Sequence, residues 1–179
     1  LPEELLLFDD LNRKKALCLA AKLGVTSALN INFSLETIEY KNGFFIQKTI
    51  ADAIQAGISS SQLVLEITED EAIHNPKQIK RILNHFREQK LKIAIDDFGA
   101  GYAGLNMLAD IHPDMIKLDR MLITNIHING ARQAIVRGIY QICTALGIDL
   151  LAEGVECMEE FYFLRAVGIT LYQGFLFAK

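Results

Sequence analysis

A basic excess is absent. Asp and Glu number 22 against 18 Lys and Arg, a formal net charge of −4. That excludes a protein that grips nucleic acid through a positive face, so no DNA or RNA partner is expected. Any phosphate-bearing ligand then needs local lysines, dipoles or metal ions. Cysteine is scarce: Cys18, Cys143 and Cys157 form an odd set with no C-x-x-C. A disulfide framework or zinc knuckle is not expected, and a reducing compartment is the simple reading. No apolar run approaches the ~20 residues that span a bilayer. The opening Leu1-Pro-Glu-Glu4 lacks the basic start of a signal peptide. Tandem repeats, linkers and low-complexity stretches are missing too. What remains is 179 residues, 51% hydrophobic and 22% charged, the balance and size of one globular domain. The first residue is Leu1, and Lys179 follows directly on the apolar run Gly174–Ala178. The chain is therefore expected to be cut from something longer at both ends.

Two kinds of segment alternate. Short runs rich in Ile, Leu and Val lie at Ser27–Phe33, Leu63–Ile67, Leu91–Ile95, Met115–Leu118, Asp149–Ala152 and Ile169–Tyr172, as suits strands buried on both faces. Between them are helical patterns. Asn75-Pro76 predicts an N-cap with proline at the first helical position, followed by Ile79, Ile82, Leu83 and Phe86 at helical spacing. Ile135, Ile139, Ile142 and Leu146 predict another apolar stripe, stopped by Gly147. Further helices are expected over Asp10–Leu23, ended by Gly24, and from near Phe45 to Gly57. Strand–helix alternation argues for a parallel sheet with helices packed outside. A closed eight-fold barrel needs about 250 residues, so its missing part would lie mostly upstream. The rival, an open doubly wound sheet, is weakened because no Gly-rich phosphate fingerprint follows any strand.

Polar residues fall at the strand ends. The first strand carries Asn32; the second Glu66, with Thr68 and Glu69 beyond; the third Asp96-Asp97; the fourth Lys117, then Asp119; the fifth Glu153, then Glu156; the sixth Gln173. In a parallel barrel those edges meet on one face, where active sites are built. Asn32, Glu66, Asp96, Asp97 and Glu153 offer only oxygen ligands, the choice of Mg²⁺ or Mn²⁺. His74, His85, His112 and His127 stand away from strand ends, which argues against a zinc-type histidine site there. Carboxylates gathered together repel, and two divalent ions would neutralise four of them. Paired metals suit in-line attack on a phosphodiester, with Lys117 placed to hold the water or to stabilise transition-state charge. The plainer reading of Asp96-Asp97 is a helix N-cap with an acidic neighbour. Lys117 as a Schiff-base lysine is disfavoured by the carboxylates around it. Asp97-Phe-Gly-Ala-Gly-Tyr102 reads as a mobile loop beside the acidic pair, or as an ordinary turn.

Taken together, Asn32-Phe-Ser34, Leu65-Glu-Ile-Thr-Glu69, Asp96-Asp-Phe-Gly-Ala-Gly-Tyr102, Ile116-Lys-Leu-Asp119, Ala152-Glu-Gly-Val-Glu156 and Gln173-Gly-Phe175 resemble the EAL-domain cyclic di-GMP phosphodiesterases. The resemblance runs from about Asp10 to Lys179. It implies one EAL domain over 1–179 with an α/β fold, a (β/α)8 TIM-like barrel, here incomplete and missing its first strands. It further implies linearisation of cyclic di-GMP to pGpG with two Mg²⁺ or Mn²⁺ ions in bacterial second-messenger signalling. By motif, Asn32, Glu66 and Asp96 would bind one metal; Asp96, Asp97 and Glu153 the other. Lys117 would position or deprotonate the attacking water. Gln173, Asp119, Glu156 and Tyr102 would support the site or touch substrate, and Glu69 would anchor the loop Phe98–Leu105. The family implies a homodimer, and Leu122–Ile135 resembles EAL domains fused to BLUF blue-light sensors. Two departures stand out. The Glu-Ala-Leu motif, whose glutamate is a metal ligand in the family, would fall before Leu1. The loop reads Gly-Ala-Gly-Tyr-Ala-Gly where active members usually have Gly-Thr-Gly-Tyr-Ser-Ser. These departures keep a second expectation in play: a catalytically inactive EAL-like module that binds cyclic di-GMP or a protein partner.

Overall fold

The computed structural model describes residues 3–74, 76–100 and 105–178. In chain order its elements are α1 (Glu3–Lys22), β1 (Leu29–Asn32), α2 (Leu35–Glu39), α3 (Phe44–Gln55), β2 (Leu63–Thr68), α4 (Glu69–His74), α5 (Pro76–Arg87), β3 (Lys92–Phe98), α6 (Asn106–Ile111), β4 (Met115–Leu118), α7 (Arg120–Ile123), α8 (Gly130–Leu146), β5 (Asp149–Ala152), α9 (Met158–Val167) and β6 (Leu171–Tyr172). They divide into two compact units, Leu1–Ile67 with His74–Ile93, and Thr68–Ile73 with Ala94–Lys179.

In the first unit β1 and β2 pair in parallel, from Leu29 against Leu63 to Asn32 against Glu66. β2 is buried from Leu63 through Ile67, which is why its run is continuously apolar except at Glu66. Phe45, Ile46, Ile50 and Ala53 of α3 and Ile79, Ile82, Leu83 and Phe86 of α5 are buried, each set recurring at the helical period. The N-cap expected at Asn75 lies outside the described residues. α1 begins seven residues before the expected Asp10. Glu3 and Glu4 sit in its first turn, where carboxylates favour the helix dipole, and Leu6 joins the core through the added turns. Two charges are buried on α1. Asp10 pairs with Lys48, and the Arg13 guanidinium lies 4.6 Å over the Phe33 ring, so each has a favourable partner.

In the second unit β4 is parallel to β3 on one side and β5 on the other, and β6 is parallel to β5. β4 and β5 have the expected bounds. β6 is shorter than expected. Ile169 is buried, but its N–H closes on Leu164 O at 3.2 Å after the left-handed Gly168. It is therefore the hydrophobic seal of a helix C-terminus and not the start of a strand. The stripe expected on α8 is also rotated. Val136, Ile139 and Cys143 are buried, whereas Ile135 is 50% and Leu146 44% exposed. Val136, Ile139 and Cys143 share one face at i, i+3, i+7, and the larger Ile and Leu one place away hid this.

Candidate metal centre

Successive residues of a strand normally point to opposite faces, so an Asp-Asp pair should split. It does not, because β3 slips. Ile95 is opposite Ile116 and Phe98 opposite Leu118, three steps on β3 against two on β4. The extra residue is a β-bulge, which sets two residues against one and re-aims side chains. Asp96 and Asp97 therefore both stand against Lys117. Asp97 takes φ +54°, a left-handed conformation that Asp tolerates better than most residues. As a result one oxygen from each of Asp96, Asp97 and Glu153 lies within 4.8 Å of the others. The helix-cap reading of the pair is overturned: β3 runs through both residues, and among the described residues α6 starts only at Asn106.

Lys117 is 4% exposed. Its Nζ is 3.0 Å from Asp96 Oδ1 and 2.7 Å from Glu153 Oε1. The ammonium thus bridges two carboxylates as a hydrogen-bond donor, which argues against Schiff-base chemistry. Asp96 Oδ1 also accepts the Asp97 N–H at 3.0 Å. Burial pushes Glu153 up to about 7, against the pull of Lys117 and with a further push from Asp96. Partial burial, then Asp96 and Asp119, raise Asp97 as well. Carboxylates held this high bind protons and metal ions in competition. The chemistry of the donor set, three carboxylate groups and no soft ligand, fits Mg²⁺ or Mn²⁺. Mn²⁺ affinity is expected to fall roughly tenfold per pH unit as the pH drops below the Glu153 pKa, since one proton must leave for each ion bound. Calorimetric titrations at pH 8, 7 and 6 check this; constant affinity across them would contradict it.

The other expected residues fall as follows. In the first unit, Asn32 is opposite Glu66 in the β1–β2 register. Glu66 is buried, and its Oε1 accepts from Asn30 Nδ2 at 2.8 Å. Asn30 escaped the sequence reading, although it sits two residues before Asn32 and so on the same strand face. In the second unit, buried Glu69 opens α4, and its Oε2 accepts the Gly99 N–H at 2.9 Å, fixing the turn just after Asp97. Asp119 caps α7 by accepting the Met121 N–H at 2.7 Å. Glu156 pairs with Arg120 at 3.0 Å on the surface. Gln173 is exposed, and its backbone is held by Ala152 O and the Val155 N–H. The following Gly174 approaches the Val155 backbone so closely that a Cβ would collide with it. Tyr102 lies outside the described residues. A residue missed altogether is Glu160. It is buried and accepts N–H bonds from Asn125, Glu156 and Cys157. Burial alone would raise its pKa, but these backbone donors lower it.

Comparison with known proteins identifies the family. The EAL domain model matches residues 5–179. The blue light- and temperature-regulated antirepressor BluF of Escherichia coli K12 is 42% identical over 118 residues, 66% of this chain and 29% of BluF. The cyclic di-GMP phosphodiesterase PdeR of the same strain is 32% identical over 156 residues, 87% of this chain and 23% of PdeR. Klebsiella pneumoniae BlrP1, solved with cyclic di-GMP and calcium or manganese, superposes with a TM-score of 0.92 at 39% identity, over 98% of this chain and 45% of BlrP1. The chain thus spans less than a third of these two curated relatives. Its fold class is α/β, the TIM-like barrel of such proteins, of which this chain holds part. With the motif residues clustered as described and a match over nearly its whole length, the chain belongs to the EAL-domain family.

Proposed function

We propose that this domain hydrolyses cyclic di-GMP to linear pGpG with two Mg²⁺ or Mn²⁺ ions. The observation that carries the reading is the convergence of Asp96, Asp97 and Glu153 around Lys117. The relatives support it: PdeR is named a cyclic di-GMP phosphodiesterase, and BlrP1 was solved with manganese and cyclic di-GMP. Asp96, Asp97 and Glu153 would hold metal. Asn32 and Glu66 are assigned as metal ligands by family likeness alone. When bound, the ions polarise the phosphoryl oxygens and acidify the attacking water.

The protein's own groups do the rest. Lys117, an N–H donor fixed by two carboxylates, orients the nucleophilic water and offsets charge on the transition state. Glu153, raised to about 7 in the metal-free protein, would bind metal in its deprotonated form, so ion and proton compete for it. Glu69 holds the turn behind Asp97 through Gly99. Asp119 adds negative charge near Asp97, and Gln173 and Glu156 are supporting groups. Tyr102 is assigned to substrate contact or support through its motif alone.

One feature favours a second reading. By family likeness, Ala100 stands where active members usually carry threonine. A non-catalytic module that binds cyclic di-GMP or a protein partner would tolerate this. Incubation with Mn²⁺ and cyclic di-GMP, read by chromatography and calorimetry, separates the two. pGpG appearing only with metal supports hydrolysis. Binding without turnover supports the module.

A cytoplasmic homodimer, coupled to a sensory domain such as BLUF, completes the reading. The free cysteines and exposed Met121, Ile128 and Ile135 support it, as does the likeness to BluF. No helix among the described residues is long and apolar enough to cross a membrane.

A further inference from the structure

We propose a second metal site of different chemistry: His127, Cys157 and Glu160 bind zinc(II) and staple the Ile126–Ile128 turn to the N-terminus of α9. One ligand atom from each of the three lies within 4.8 Å of the others. Donors around tetrahedral zinc, each about 2.0–2.3 Å from the ion, stand roughly 3.3–3.8 Å apart, so a small closure of three side chains completes the geometry.

Each residue carries its own indication. His127 Nδ1 is buried and has no hydrogen-bond partner among the described residues, a state that buried ring nitrogens rarely keep. Cys157 occupies the N-cap of α9, with its Sγ receiving the Glu160 N–H. Ser, Thr, Asp or Asn is the usual cap, so sulfur here adds a soft ligand that capping does not require. Glu160 is oriented by three backbone donors: Asn125 N at 2.8 Å, Glu156 N at 3.0 Å and Cys157 N at 3.4 Å. A carboxylate has about four acceptor positions; the fourth faces the Cys157 thiol, whose proton leaves when a cation takes its place, and the backbone donors fix the group as outer-shell partners do.

Imidazole, thiol and carboxylate together select zinc, whereas the all-oxygen set at Asp96, Asp97 and Glu153 selects magnesium or manganese. On binding, the Cys157 thiol proton passes to solvent and a sulfur–zinc bond forms. Solvent fills the fourth position. Glu160 already ties Asn125 to α9, and the ion reinforces that link. The site is independent of cyclic di-GMP hydrolysis and stands or falls without it.

Cobalt(II), a spectroscopic stand-in for zinc, tests the site in the whole protein. The titration is run with excess Mg²⁺ to occupy the oxygen cluster. One equivalent is expected to produce a thiolate-to-cobalt charge-transfer band that zinc abolishes by displacement. Cys157→Ser keeps a good helix cap, so it preserves the fold, and it should eliminate the band. His127→Ala should weaken cobalt binding at least tenfold. No band in the wild-type protein, or a band that survives either substitution at unchanged affinity, overturns the proposal.

Discussion

Replacing Lys117 with methionine is expected to destabilise the metal-free protein by about 3–5 kcal/mol at pH 8. The substitution nearly preserves volume, so packing is not what is lost. The ammonium is 4% exposed and bridges Asp96 and Glu153 at 3.0 and 2.7 Å. Without it, two poorly solvated carboxylates face each other with Asp97 alongside. Removing one partner of a buried ion pair costs far more than the intact pair contributes, because the remaining charges stay desolvated.

The deficit should depend on pH in a defined direction. Glu153 has a folded-state pKa near 7, above its ordinary 4.5. Its contribution is fully present below 4.5 and is lost as the pH rises through 7. Loss of Lys117 removes a lowering influence, so Glu153 moves higher and the loss extends above pH 7. Denaturant melts of both proteins at pH 6 and pH 8 should therefore diverge most at pH 8. Mn²⁺ should recover more stability in the variant than in the wild type, because the ion supplies the charge that the side chain no longer does. On the proposed function, hydrolysis of cyclic di-GMP should still fall by roughly 10²–10³ at saturating Mn²⁺, the usual cost of losing one positioned donor. Equal melts at pH 8, or a deficit that does not vary with pH, would remove Lys117 from the centre of the cluster.

The reason Lys117 can serve both carboxylates lies in the bulge of β3, which no reading of the chain alone could supply. β4 and β5 are legible because their apolar residues, Met115, Ile116 and Leu118 in one and Leu150–Ala152 in the other, form short runs between polar neighbours, which leaves little choice of boundary. The pairing that matters at Asp96-Asp97 is non-local: β3 gains one residue on β4 between Ile95 and Phe98. A run of Ile-Ala-Ile-Asp-Asp-Phe is compatible with either register. The polar residues could be named from their positions at strand ends, but whether the pair would split across two faces was decided by the slip.

Other misses have equally specific causes. α9 carries a capping box, but its cap is Cys157 with Glu160 three residues on. The pattern is recognisable from sequence chiefly when Ser or Thr leads it. α4, α6 and α7 span only four to six residues, too short for a helical period to emerge. Asn30 was within reach: it shares a strand face with Asn32, and only its bond to buried Glu66 shows why that face is polar. His127 and Cys157 are thirty residues apart, and no spacing rule joins them.

Asp96→Asn isolates charge from shape, and it is expected to lower the proposed metal-dependent hydrolysis of cyclic di-GMP at least about 10³-fold, or ~4 kcal/mol of activation free energy. The amide oxygen of asparagine can still accept from Lys117 Nζ and from the Asp97 N–H, the two bonds that Asp96 Oδ1 makes now at 3.0 Å each. The bulge and the lysine should therefore stay in place. What disappears is one negative charge from a cluster whose affinity for hard cations depends on charge. Family likeness assigns that carboxylate to both metal positions, so Mn²⁺ binding should weaken along with turnover.

A second readout separates this account from simple unfolding. Asp96 is one of the groups that raise Glu153, so in the variant the Glu153 pKa should fall below about 7. That fall can be followed by carbon-detected NMR titration of the metal-free protein. By linkage, a folded-state pKa closer to the unfolded one means that less stability is lost as the pH climbs from 4.5 to 7. The variant should thus keep its melting midpoint better than the wild type over that range while losing nearly all turnover. Hydrolysis retained within tenfold would mean that Asp96 does not hold the ions. An unmoved Glu153 would mean that Asp96 on β3 and Glu153 just beyond β5 do not share one field.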